Sequence, residues 1–66
     1  MKHDIGFKEF RNEIVIYAET PKGASWVAKH ITTNIADLHY SDKQQANAVL
    51  EDMAKDGLKV VRLDCN

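Results

Sequence analysis

Apolar residues at positions 46, 49, 50 and 53 fall at the i, i+3, i+4, i+7 spacing that lines one stripe of a helix. Ala46, Val49, Leu50 and Met53 form that stripe, and Gln45, Asn47, Glu51, Asp52 and Lys55 take the wet side. Ser41 is placed to cap this helix, with Gln44 three residues on reaching back to the cap's own N–H. Gly57 is the natural stop, because it enters the left-handed conformation without a Cβ clash. Leu58 is then expected to fold back on Met53. The run Leu58-Lys59-Val60-Val61-Arg62-Leu63 follows at once, and its Val and Leu content predicts a strand.

A second strand is predicted over Glu13-Ile14-Val15-Ile16-Tyr17-Ala18-Glu19. It is apolar on both faces, Ile14, Ile16 and Ala18 opposite Val15 and Tyr17, as a central strand covered on both sides would be. A helix is expected as one cover and a second subunit as the other. Thr20-Pro21-Lys22-Gly23 reads either as a turn joining a hairpin or as an N-cap followed by proline at the first helical position. The helical period of Ala24, Val27, Ala28 and Ile31 favours the second reading, with Trp26 and His30 together on an adjacent face. Thr32, Thr33 and Asn34 are expected to end that helix.

From Ile35 to Tyr40 the chain alternates, Ala36, Leu38 and Tyr40 on one face and Asp37 and His39 on the other, which predicts a short, half-wet edge strand. The stretch around Phe7 and Phe10 fits either an extension of the first strand or a turn packed over the core. The expected fold is therefore a small two-layer α/β or α+β domain spanning 1–66. Its expected order is β-α-β-α-β, with β-β-α-β as the alternative. If both helices share one face of the sheet, the other face is bare, and a bare face or open edge invites a second copy.

Sixty-six residues hold a small core, and such chains commonly lean on a disulfide, a metal or a partner subunit. One Cys, Cys65, cannot form an intrachain bridge, and a lone thiol fits a reducing compartment. Self-association becomes the leading expectation. The formal net charge of -1, with acids and bases interleaved, argues against binding driven by bulk positive charge. A nucleic-acid partner would require Lys22, Lys29, Lys59 and Arg62 to converge on one face. The longest apolar runs fall well short of the roughly 20 residues of a membrane span, and no signal-peptide pattern is visible. A cytoplasmic location and no membrane partner are expected.

The chemistry offered by the residues is thin. Thr20, Lys22, Gly23 and Ser25 surround a proposed helix N-terminus, where exposed N–H groups suit a phosphate or other anion. The full phosphate-loop pattern is absent, so a plain helix start is the competing reading. Asp37 and His39 set a carboxylate beside an imidazole, the core of many acid–base pairs. No nucleophile is linked to them by motif. Met1, Lys2 and His3 could enclose a square-planar metal ion through an N-terminal amine, a property of any chain with His third. No catalytic residue, resident metal or cofactor is expected. Among the aromatics, Tyr17 and Trp26, together with Val15, are the candidate interface residues. The functional expectation is a non-enzymatic interaction module, acting as a homodimer or on another protein. A nucleic-acid accessory role and anion binding stand behind it.

Overall fold

A computed structural model describes residues 3–32 and 37–64. Among these the elements run β1 (Ile5–Glu9), β2 (Ile14–Ala18), α1 (Pro21–His30), β3 (Leu38–Tyr40), α2 (Lys43–Lys55) and β4 (Val60–Arg62). The strands form one sheet in the order β3-β2-β1-β4. β1 and β2 make an antiparallel hairpin, β2 and β3 pair antiparallel, and β1 and β4 pair parallel. The chain is a small α/β or α+β domain, as its periodicities predict, with one more strand than the expected order.

That strand is β1. Gly6, Lys8 and Glu9 give it little intrinsic strand preference, but its alternation is sound. Ile5 and Phe7 sit opposite Ala18 and Ile16, and on the other side Ile5 and Gly6 pair with Val60 and Val61. Central position, with a partner on both edges, holds it extended. α2 leaves β3 at one edge of the sheet and delivers the chain to β4 at the other.

Both helices lie on one face. Ile5, Ile14 and Ile16 from the sheet pack with Val27 of α1, with Ala46, Leu50 and Met53 of α2, and with Leu58, all at most 7% exposed. The predicted stripe of α2 is thus the core stripe, with Val49 partly buried at its margin. The cap is corrected by one residue. Asp42, not Ser41, caps α2, its carboxylate accepting from the Gln44 and Gln45 N–H groups at 3.0 and 3.3 Å. At the other end Gly57 adopts φ +88°. Its N–H donates to the Ala54 carbonyl, and the Leu58 N–H donates to that of Met53, which closes a Schellman motif. Leu58 and Met53 are both buried there, as expected.

Thr20 caps α1 with Pro21 in its first turn, so the helical reading of this segment holds. β3 is shorter than the predicted 35–40 strand. Its Leu38 and Tyr40 face the core and His39 faces out, while Ile35 and Ala36 lie outside the described residues. Thr33, Asn34, Cys65 and the Met1-Lys2 portion of the N-terminal metal motif also lie outside them. Among the described residues, no helix is long and apolar enough to cross a membrane.

Candidate functional site

Among the described residues, the sheet's second face carries no helix. Strand alternation dictates its occupants. Opposite the core-facing residues stand Gly6 and Lys8 of β1, Val15 and Tyr17 of β2, His39 of β3 and Val61 of β4. Val15 lies between Lys8 and His39, its cross-strand partners, and is 3% exposed although outside the main core cluster. Tyr17 pairs with Gly6, and the missing side chain at Gly6 leaves room that Leu63 and Glu19 fill. A Cβ there would come within 2.6 Å of Leu63 Cδ1 and 2.5 Å of Glu19 Oε2. Lys8 holds its ammonium 5.8 Å from the centre of the Tyr17 ring, within cation–π range.

These side chains border an open hollow of about 400 Å³ lined by Lys8, Tyr17, Ala18, Glu19, Asp37 and Leu63. Leu63 is 37% exposed beside it. Two histidines stand at the rim, each against a glutamate. His3 Nε2 is 2.6 Å from Glu19 Oε2, and His39 Nδ1 is 3.1 Å from Glu13 Oε1. The face thus sets Val15, Tyr17 and Val61 around the amine of Lys8, with carboxylates at its margin.

At the turn from β2 into α1, Asp4 meets Thr20, one of the four candidate anion-binding residues. Thr20 Oγ1 accepts from the Gly23 N–H at 3.2 Å and donates to Asp4 Oδ1 at 2.7 Å. Asp4 Oδ2 accepts from the Lys59 N–H at 3.0 Å. The Lys59 N–H and the Thr20 hydroxyl, with smaller help from Lys22 and His3, hold the Asp4 carboxyl below its ordinary range. Lys22 reaches the other way, donating to the Gly57 carbonyl at 3.1 Å, and Ser25 is exposed. Of the four candidate anion-binding residues, the structure joins Thr20 and Gly23 and supplies them with an internal carboxylate. Gly23 has a packing role as well. A Cβ on it would meet the Asp4 carbonyl oxygen at 2.5 Å, so helix and strand approach closely only because it is glycine.

Trp26 lies on the other side of the sheet from Tyr17 and Val15, packed against the core beside α2. Its indole N–H donates to Asp56 Oδ2 at 2.6 Å, and its ring stacks on His30 with centroids 4.4 Å apart. His30 Nε2 is 4.0 Å from the same oxygen. A second hollow of about 400 Å³ borders this group, between Ile31 and the Val49–Asp56 side of α2. The three candidate interface residues therefore divide, two on the uncovered sheet face and one at the helix seam.

Lys22 is tied to Gly57, and Arg62 bonds Asp64 at 2.9 Å and approaches Glu9 at 3.6 Å. Lys43 reaches the same glutamate at 3.2 Å, so Glu9 links β1 to β4 and to the start of α2. The Arg62 contact and the Glu9 N–H also lower the Asp64 pKa. Asp37 and His39 lie on one face, but His39 takes Glu13 as its partner. Among the described residues, no three His, Cys, Asp or Glu side chains are grouped to hold a metal ion. Compared with family models, curated proteins and solved structures, the chain matches none.

Proposed function

We propose that this chain is a non-enzymatic interaction module that pairs with a second copy of itself through the uncovered face of its sheet. The observation that carries this reading is the one-sided sheet, whose helix-free face presents Val61 together with Tyr17 and Leu63, the last two lining a hollow. Leaving such residues against water forgoes roughly 25 cal/mol for each Å² of apolar area that a partner would cover.

A second copy fits this face for three reasons. The face carries its own electrostatic complement, with Lys8 near the middle and Glu13, Glu19 and Asp37 around it. A two-fold pairing sets the amine of each copy against the carboxylate margin of the other, an isologous contact. The net charge of -1 opposes association of like molecules only weakly. Finally, four strands at about 4.8 Å spacing make the face about 19 Å wide, a size suited to the small contact of a weak, concentration-dependent dimer.

Sedimentation equilibrium tests the proposal. Wild-type protein is expected to reach dimer mass between micromolar and millimolar concentration. Tyr17→Glu and Leu63→Glu, which set a new carboxylate beside an acidic margin, are expected to remain monomeric with unchanged helical circular dichroism. Wild-type protein that stays monomeric throughout this range overturns the reading.

A further inference from the structure

Both rim histidines of the uncovered face stand within hydrogen-bonding distance of a glutamate, from opposite ends of β2. We infer that protonation of His3 and His39 tightens the association of two copies through this face. This rests on the pairing proposed above and names its regulation.

The charge around these imidazoles sets the sign. His3 faces Glu19 at the end of β2 and acts on Asp4, which also feels Lys22 of α1. His39 faces Glu13 at the start of β2. Lys8 comes from β1 and Asp37 precedes β3. Lys59, whose backbone binds Asp4, enters at the start of β4. Arg11 stands in the β1–β2 turn beyond the face. With both imidazoles neutral, the face sets the one amine of Lys8 against the carboxylates of Glu13, Glu19 and Asp37. Two carboxylates are in excess on each copy, which weakens the pairing that Lys8 makes with the opposite margin without abolishing it.

Protonation changes each histidine–glutamate contact into an ion pair and balances that excess. The cation arises 2.6 Å from one carboxylate and 3.1 Å from the other, so it needs no rearrangement to neutralise them. Histidine is the side chain whose ordinary titration falls between pH 5 and 8. The third histidine supplies an internal control, since His30 lies at the helix seam, across the sheet from this face.

Sedimentation equilibrium at pH 7.5, 6.5 and 5.5 and constant ionic strength tests the inference. Wild-type protein and His30→Gln are expected to dimerise at least tenfold more tightly at pH 5.5 than at pH 7.5. His3→Gln/His39→Gln is expected to lose that dependence. His39→Gln alone, changed at a 59% exposed side chain, is expected to lose part of it and guards against misfolding of the double variant. A dimer whose affinity is independent of pH, or weaker in acid, overturns the inference and leaves the pairing intact. So does a double variant that keeps the wild-type dependence. Monomer at every pH overturns both.

Discussion

Asp4 and Thr20 hold the start of α1 against the edge of the sheet, the Thr20 hydroxyl donating to Asp4 at 2.7 Å while it accepts from the Gly23 N–H. One hydroxyl thus satisfies a helix N-terminus and ties it to β1, and the Asp4 carboxylate extends the link to the chain entering β4 through the Lys59 N–H. Three segments distant in sequence meet at this point. Thr20→Ala is expected to cost about 1–2 kcal/mol, the upper part of the range for a lost N-cap. Urea denaturation measures it. A loss within error of zero contradicts the assigned role.

The same carboxylate confers an acid dependence. The Asp4 pKa in the folded chain lies below the 3.8 of the unfolded one, chiefly through the Lys59 N–H and the Thr20 hydroxyl. Below the unfolded value the unfolded chain takes up the proton first, so stability falls as pH falls through the folded value. Asp64, lowered mainly by Arg62, acts in the same direction. Urea midpoints measured from pH 5 down to pH 2.5 are expected to drop less steeply in Asp4→Asn than in wild type. Equal slopes contradict the link.

The glycines separate by what they face. At Gly23 a Cβ meets backbone, the Asp4 carbonyl at 2.5 Å, which cannot yield without moving β1. Gly23→Ala is expected to destabilise by about 1–3 kcal/mol, as overpacking does, although alanine is the better helix former. At Gly57 the space is open but φ is +88°. Gly57→Ala is therefore expected to cost about 1–2 kcal/mol from backbone alone, and Gly57→Asn less. Thermal unfolding of the three variants checks this order.

Trp26 reports on the helix seam. It is the chain's one tryptophan, stacked on His30 and bonded to Asp56. An imidazolium in that stack quenches indole emission and gains both the cation–π contact and the nearby Asp56 carboxylate. His30→Gln is expected to change the Trp26 emission relative to wild type under the same conditions. Identical emission in the variant contradicts the stacked geometry.

How far the fold is legible in the residues depends on whether the cause is local. The α2 stripe, its glycine stop and the fold-back of Leu58 are all set within a dozen residues, and the sequence pattern predicts them. β1 escapes because Gly6 and Lys8 are poor strand formers, and it is held extended by β2 on one side and by Val60 and Val61, more than fifty positions away, on the other. Gly23 reads as a phosphate-loop residue or an incidental one because its reason is the Asp4 carbonyl, another distant group. At the candidate site, alternation alone places Val15 and Tyr17 on one face. Trp26 does not join them, because the face a helix turns toward a sheet is decided by packing. The two rim histidines are likewise brought to one face by strand register and by the fold of the N-terminus.

The central claim is that the helix-free face of the sheet is where this chain meets its partner. Amide chemical shifts followed across a concentration series test it residue by residue. Concentration-dependent shifts are expected at Gly6, Lys8, Val15, Tyr17, His39, Val61 and Leu63, with Trp26, Val49 and Lys55 unmoved. Shifts that gather at the helix seam instead, or spectra that stay constant up to millimolar protein, contradict it.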